Sequence, residues 1–191
     1  MPSLRLATVR EWTADPFRVI LLDVDPQSVS IVEVVPQRST ANDRAGGAAF
    51  GVVVHAILAQ VPFEAARQAL DDIAGREART LGLSEAEAAA AADAAERILA
   101  HEILGRARAA AARGVCRRES PVIYTLDDGT LIEGFVDLAF EEAGKWTVVD
   151  FKTDRQIGED GIERYRRQVA FYASAIQKAT GQPTRGVLLR I

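Results

Sequence analysis

The sequence has a single cysteine, Cys116, in 191 residues. One cysteine excludes an internal disulfide bond, and it also excludes a zinc or iron–sulfur site built from four cysteines. No apolar run approaches the roughly 18 residues of a membrane-spanning helix, so no membrane contact is expected. The N-terminal residues MPSLRLATVREW lack the features of a secretion signal, and we expect a cytoplasmic location. Because the chain has only one cysteine, any bound metal ion must be held by carboxylate and imidazole groups.

Excess positive charge is also missing, because the net charge is −4 at pH 7. A domain that attracts nucleic acid through its overall charge is usually basic, so nucleic-acid contacts would need local patches. Two arginine clusters offer such patches: Arg106, Arg108, Arg113, Arg117 and Arg118, and Arg164, Arg166 and Arg167. The first cluster can equally well complement the C-terminal end of a helix. Neither cluster is assigned to a site.

The first 45 residues predict a β-hairpin and a linker. Two β-branched runs, over residues 18–23 and 29–35, flank a turn sequence at residues 25–28. A polar stretch follows, and after Gly47 the spacing of apolar residues becomes helical. We expect residues 1–45 to pack on, or to be appended to, a single globular unit over residues 46–191.

The pattern of that unit predicts three helices, an antiparallel meander, a further helix and a last strand. The first helices fall over residues 48–60, 63–80 and 84–113, and the third opens with the capping pair Ser84 and Glu87. Three strands with short turns follow between residues 121 and 152, and then come a helix over about 161–180 and a strand over 186–191. We therefore expect an α/β fold of the α+β type.

Two neighbouring strands of the predicted meander carry two carboxylates and a lysine, which are side chains that suit metal chemistry. In WTVVDFK, strand alternation places Asp150 and Lys152 on one face, and the preceding strand carries Asp137 within an apolar run. If the short turn pairs these strands, the two carboxylates lie side by side. Two carboxylates in apolar surroundings need a cation, and their oxygen atoms suit Mg²⁺ or Mn²⁺. The lysine can then orient a water molecule or hold a phosphate.

Each of these signals has a simpler structural explanation when it is taken alone. Asp150 and Lys152 are also compatible with an exposed ion pair at a strand end. Helical spacing puts three residues of the next helix on one face, where its tyrosines can simply pack in a core: Tyr165, Gln168 and Tyr172. His55 lies on an apolar helix, as a hydrogen-bonded core histidine would, and Glu119 is compatible with a solvated residue at the start of a strand.

Five short motifs in order change this balance. They are Gly51-x-x-x-His55, Glu119-x-Pro121, Gly134-x-x-Asp137-Leu138, Val149-Asp150-Phe151-Lys152-Thr153 and Tyr165-x-x-Gln168-x-x-x-Tyr172. This series resembles the PD-(D/E)XK nuclease domain at the C-terminus of the helicase-nucleases RecB and AddA. The resemblance covers residue 51 to the end, and it implies a restriction-endonuclease-like core with a mixed central sheet.

The resemblance also implies roles for individual residues. His55, Asp137 and Asp150 would bind metal, and Lys152 would act with Asp137 and Asp150 as the catalytic group. The remaining residues would contact DNA or support the site: Gln168, Tyr172, Tyr165, Glu119 and Thr153. The implied activity is that of a Mg²⁺-dependent deoxyribonuclease that also accepts Mn²⁺, and the resemblance favours an exonuclease.

The resemblance further implies a bacterial protein that acts in double-strand-break repair and recombination. The sequence has no phosphate-binding loop for a nucleotide and no four-cysteine cluster for iron–sulfur. We therefore expect a fragment whose partners are DNA, the helicase portion of a longer protein and a partner subunit. The alternative is a catalytically silent nuclease-fold module that binds DNA or a partner without cutting.

Overall fold

The computed structural model describes residues 5–15, 22–34, 47–126, 128–154 and 158–191. Their elements are, in chain order, β1 (Leu6–Thr8), α1 (Val9–Trp12), β2 (Ser30–Glu33), α2 (Ala48–Gln60), α3 (Arg67–Leu81), α4 (Glu85–Ala100), α5 (Glu102–Ala111), β3 (Cys116–Thr125), β4 (Leu131–Glu142), β5 (Lys145–Lys152), α6 (Glu159–Thr180) and β6 (Thr184–Arg190). A short 3-10 helix, Pro26–Ser28, precedes β2. The predicted α/β class is confirmed.

Helix boundaries follow from capping groups that the sequence supplies. The Ser84 hydroxyl accepts the backbone N–H of Glu87, and the Glu87 carboxylate accepts the backbone N–H of Ser84, so the predicted capping box is present. Gly181 ends α6 in the left-handed conformation. His101 divides the helix predicted over residues 84–113, because its backbone is extended and its ring caps the first turn of α5. In the described part of the chain, no helix is long and apolar enough to cross a membrane.

The sheet is mixed, with the order β1-β4-β5-β6-β2 and with β3 paired to β4. Strands β3, β4 and β5 form the predicted antiparallel meander, whereas β6 is parallel to β5. Because β3 occupies one edge of β4, strands β1 and β5 share the other edge: β1 pairs with residues 131–133 and β5 with residues 138–142. Among the described residues, this second edge of β4 has no strand partner between those two segments.

Two hydrophobic cores lie on opposite faces of the sheet, one under α2 to α5 and the other under α1 and α6. Strand β4 contributes to both. Val136 packs in the core under α6, whereas Leu138 packs in the core under the other helices. Residues two apart on a regular strand face the same side. The strand therefore exchanges faces at Asp137, which accounts for a carboxylate in the middle of an otherwise apolar segment.

Only part of the N-terminal hairpin that the sequence predicted falls within the described residues. Strand β2 pairs in parallel with β6, and residues 22–25 belong to no strand. Residues 16–21, which hold most of the first predicted strand, lie outside the described residues. Strand β1, which the sequence did not predict, pairs in parallel with β4. Apolar alternation identifies a strand but not its partner, and parallel partners are joined by long connections that leave no local signal.

Close packing of α6 on the sheet depends on Gly186 in β6. A Cβ atom at Gly186 would lie 2.6 Å from Val169 Cγ1 and 3.1 Å from Val29 Cγ2. We predict that Gly186→Ala lowers the free energy of unfolding by about 1–3 kcal/mol through overpacking, measured by urea denaturation.

Gly105 in α5 provides the matched control, because a Cβ atom there has no neighbour within 4 Å. Gly105→Ala should leave stability unchanged or raise it by up to about 1 kcal/mol through helix propensity. Equal effects of the two substitutions would contradict this account of the packing between α6 and the sheet.

Candidate active site

The site lies where β4 and β5 separate. The ladder between them ends at the pair Leu138 and Val149. Beyond it, the backbone N–H of Phe151 donates to Asp137 Oδ2 at 2.8 Å. The carboxylate of Asp137 therefore takes the place of a main-chain acceptor on the departing strand.

His55 of α2 contacts the other backbone group of Phe151 on this edge, its carbonyl oxygen. Its Nε2 lies 3.0 Å from the carbonyl oxygen of Phe151, and since a carbonyl only accepts, Nε2 carries the proton. Nδ1 then faces Asp137 Oδ1 at 3.5 Å. Burial acts to lower the pKa of His55, but the carboxylate of Asp137, which can accept a hydrogen bond from Nδ1 when the ring is protonated, outweighs burial and raises that pKa. The ring is thus oriented with Nδ1 toward negative charge, as a metal ligand would be.

Glu119 lies opposite Asp137 in the register of β3 and β4, between the pairs Arg118 with Leu138 and Ser120 with Val136. Its backbone has φ of 44°, which interrupts the ladder at this position. Burial raises the pKa of Glu119, and the charge of Asp137 adds to that effect. Both observations describe a carboxylate that is held close to another one.

One ligand atom each from His55, Glu119 and Asp137 lies within 4.8 Å of the others. Two carboxylates and an imidazole at this spacing are a donor set for a divalent cation, which would also relieve the repulsion between the carboxylates. The resemblance placed Glu119 among the supporting residues, whereas the structure brings it into the cluster with two of the three expected ligands. The sequence offered only the motif Glu119-x-Pro121. The position of Glu119 opposite Asp137 follows from the register of β3 and β4.

Asp150 and Lys152 lie beside this cluster, at the end of β5. Asp150 is only 2% exposed, and its Oδ2 is 2.6 Å from Lys152 Nζ. Burial raises the pKa of Asp150 against the opposing effect of the lysine. For Lys152, burial lowers the pKa, but the charges of Asp150 and Asp137 outweigh it and raise that pKa. Asp150 is buried and Lys152 is partly buried, so the exposed ion pair that the sequence also allowed is not observed.

The predicted face of α6 covers this pair, with the three residues in different surroundings. Tyr172 is 5% exposed, and its hydroxyl accepts a hydrogen bond from Gln168 Nε2 at 3.3 Å. Burial above all raises the pKa of Tyr172 to about 12. The ring of Tyr172 fits only because residue 134 is glycine, since a Cβ there would lie 2.9 Å from Tyr172 Cε1. The Tyr165 ring lies 4.9 Å from Lys152 Nζ.

Gly51 and Thr153 bring α2 close to the end of β5. A Cβ atom at Gly51 would lie 2.8 Å from Thr153 Oγ1, and Thr153 itself is buried. The glycine of the first motif therefore permits the close approach that carries His55, one helical turn further on, to the site. Thr153 acts here as a packing surface for α2.

A pocket of about 430 Å³ opens beside this cluster, with His55 in its lining. Its lining includes His55, Lys152 and Gln168 from the site itself, and Arg10 and Arg164 from α1 and α6. Arg10 was not singled out in the sequence, because no motif accompanies it. The pocket therefore combines His55, Lys152 and Gln168 with two cationic side chains from different parts of the chain, whereas Asp137 and Asp150 are not among the residues that line it.

Most of the predicted arginine clusters have structural roles. Arg106 pairs with Glu142, and the guanidinium of Arg118 lies 3.6 Å from the Phe63 ring centroid. Arg166 donates to the carbonyl oxygen of Val29, and Arg167 Nε donates to the carbonyl oxygen of Thr13 at 3.0 Å. These side chains join elements of the fold, whereas Arg164 faces the pocket.

Residues 31–191 match the family model described as the PD-(D/E)XK nuclease superfamily. Among curated proteins, the chain is similar to an ATP-dependent helicase/nuclease subunit of Clostridium kluyveri, with 38% identity over 60 residues that cover 31% of this chain and 5% of the relative. The proteins of the same name from Lachnoclostridium phytofermentans and Bacillus pumilus are 40% and 37% identical over 58 and 70 residues, which cover 29% and 31% of this chain. These matches cover 4% and 6% of the two relatives, so the compared segment is about a twentieth of each relative's length.

The geometry predicts that Glu119 contributes to cation binding. We expect Glu119→Gln to weaken Mn²⁺ binding roughly ten-fold or more, since even the partners of metal ligands contribute a factor of that size. The same substitution should raise the thermal stability of the metal-free protein, because it removes the repulsion from Asp137. Isothermal calorimetry and thermal denaturation measure the two effects.

Glu133→Gln is the matched control, because Glu133 is an exposed carboxylate on β4, four residues from Asp137. It should leave Mn²⁺ binding and stability unchanged. Unaltered Mn²⁺ affinity in Glu119→Gln would show that Glu119 is not a ligand.

Proposed function

The chain belongs to the PD-(D/E)XK nuclease superfamily, and from that premise we propose that it hydrolyses phosphodiester bonds of DNA with a divalent metal ion, Mg²⁺ or Mn²⁺. The observation that carries the proposal is the buried pair Asp150 and Lys152, next to the cluster of His55, Glu119 and Asp137. A general structural role does not explain why five ionisable side chains meet at one strand end.

The donor set fits a hard divalent cation. His55 Nδ1 and the carboxylates of Glu119 and Asp137 would hold it, and the buried carboxylate of Asp150 would complete the set. Oxygen ligands with one imidazole suit Mg²⁺ and Mn²⁺. Such a cation, when bound, lowers the pKa of a water molecule and stabilises charge on a phosphate.

Lys152 acts as a positive charge in this proposal. The carboxylates that raise its pKa keep the ammonium protonated, so Lys152 is a hydrogen-bond donor to the attacked phosphate or to the attacking water. An arginine would not substitute cleanly, because the ammonium is a compact point charge. Asp150 fixes the position of Lys152 through the contact of 2.6 Å.

Gln168 would contact the backbone of the bound strand, since it lines the pocket. Tyr172 is a positioning residue, because its buried hydroxyl accepts the hydrogen bond from Gln168. Tyr165 and Thr153 support the site by their packing against Lys152 and Gly51.

The wider role rests on the relatives. Proteins named as ATP-dependent helicase/nuclease subunits match this chain over a short segment. We propose that the chain provides the nuclease of a helicase-nuclease that processes DNA ends in recombination and repair, and that it acts as an exonuclease. Its partners would then be DNA, a helicase portion and a second protein of the complex.

Substitution of Lys152 tests the catalytic proposal. We predict that Lys152→Gln lowers kcat on linear DNA about a hundred-fold or more while Mn²⁺ still binds, because the charge that acts on the phosphate is lost and the ligands remain. Lys178→Gln is the matched control, since Lys178 is in the last turn of α6, where it lies over the Tyr124 ring of β3 and not in the candidate site. It should cleave as the unmodified protein does.

The readout is release of labelled nucleotides from linear double-stranded and single-stranded DNA, with circular dichroism as the check on folding. Unchanged cleavage by Lys152→Gln would remove Lys152 from the mechanism. If the unmodified protein binds DNA but leaves both substrates intact with Mg²⁺ and with Mn²⁺, the silent nuclease-fold module is the correct interpretation.

A further inference from the structure

Helix α1 is held firmly in place although it has only four residues. A capping box between Thr8 and Glu11 begins it. Val9 and Trp12 are each 1% exposed, and the Trp12 ring lies 5.2 Å from that of Phe171 in α6. These contacts fix both the position and the rotation of the helix.

Two further contacts join α1 to the elements of the active site. Arg167 of α6 donates from Nε to the carbonyl oxygen of Thr13. In β4, a Cβ atom at Gly134 would lie 2.8 Å from Val9 Cγ2, so this glycine accommodates α1 as well as Tyr172. The elements that position Gln168 and Asp137 therefore position α1 too.

With Val9 and Trp12 buried, Arg10 is exposed and lines the same pocket as His55, Lys152 and Gln168. Arg164 lines that pocket from the N-terminal part of α6, where its guanidinium is 5.2 Å from the Tyr165 ring centroid. Two arginines far apart in the sequence thus meet at one opening.

Neither guanidinium has a carboxylate of the described residues within ion-pair distance. Asp154 also lines the pocket, but its carboxylate accepts the hydroxyl of Tyr165. The two other arginines of α6 contrast with Arg164, because Arg166 and Arg167 donate to backbone carbonyl groups. Arg164 does contact the Tyr165 side chain. Within the described part of the chain, Arg10 and Arg164 therefore provide positive charge beside the active site that no carboxylate neutralises in an ion pair.

We propose that Arg10 and Arg164 together bind one phosphate of the substrate strand other than the phosphate that is cleaved. The planar guanidinium group matches phosphate oxygen atoms with two parallel hydrogen bonds. The pocket volume of about 430 Å³ lies in the range of ligand sites. The inference rests on the proposed function, and it gives the N-terminal segment a role in substrate binding.

This role is independent of the family match, which begins at residue 31 and so excludes Arg10. The described parts of the first 45 residues then supply more than edge strands to the sheet. They supply one of two cationic groups that set where the strand lies relative to Lys152.

Binding of a labelled single-stranded oligonucleotide tests the proposal, with Ca²⁺ as the metal so that affinity is measured without turnover. Arg10→Gln and Arg164→Gln should each weaken binding roughly ten-fold, the usual effect of losing a charged hydrogen bond. Each should also reduce the slope of log affinity against log salt by about 0.7, as expected for one lost phosphate contact. Arg79→Gln, at an exposed arginine near the end of α3, is the matched control and should change neither quantity.

Oligonucleotides with one neutral methylphosphonate at successive positions locate the phosphate. In the unmodified protein, one position away from the cleavage point should weaken binding, and that position should have no further effect in Arg10→Gln or in Arg164→Gln. The double variant should bind no more weakly than either single variant by more than about three-fold, because both side chains hold one phosphate.

The inference is overturned if both arginine variants bind and cleave as Arg79→Gln does, or if a methylphosphonate at the position identified with the unmodified protein weakens their binding as well. Cleavage by the unmodified protein distinguishes this failure from that of the proposed function. A protein that cuts DNA but shows no effect at Arg10 and Arg164 keeps the proposed function and loses only the second phosphate site. A protein that neither binds nor cuts DNA loses both.

Discussion

The rest of the site depends on two hydrogen bonds to the backbone of Phe151. Its N–H and carbonyl groups face the edge that β4 leaves after Leu138, and a buried main-chain group without a partner is costly. The Asp137 carboxylate accepts a hydrogen bond from the N–H, and His55 Nε2 donates one to the carbonyl oxygen. Satisfying one strand edge therefore brings a carboxylate of β4 and an imidazole of α2 to the same place.

The same separation of strands creates the electrostatic problem that a cation would solve. Glu119 and Asp137 face one another across β3 and β4, and the buried Asp150 adds a third carboxylate nearby. Lys152 offsets part of this charge through its contact with Asp150. Such an arrangement costs stability in the absence of a ligand, which is typical of sites that bind and act rather than of structural ion pairs.

Glycines at three positions set how closely the layers approach. Gly51 brings α2 to the end of β5, Gly134 leaves room for both Tyr172 and Val9, and Gly186 lets α6 lie on β6. Two of these glycines belong to motifs, and their role is to admit a neighbouring side chain. The geometry of the candidate site is thus set by packing at some distance from the ionisable groups.

Local sequence was sufficient to predict most of the strand and helix pattern and the capping box at Ser84, because periodicity and capping are local properties. The association of Asp137, Asp150 and Lys152 was predicted from the ordered series of motifs and from an assumed pairing of two neighbouring strands. Local sequence was not sufficient for the pairing of β2 with β6, since a parallel partner far along the chain leaves no local signal. The place of Glu119 in the cluster could not be predicted either, because strand register and a φ of 44° decide it. Arg10 reaches the pocket only through the packing of Val9 and Trp12. Contacts between distant segments depend on how the whole chain packs, and so they emerge only in the folded protein.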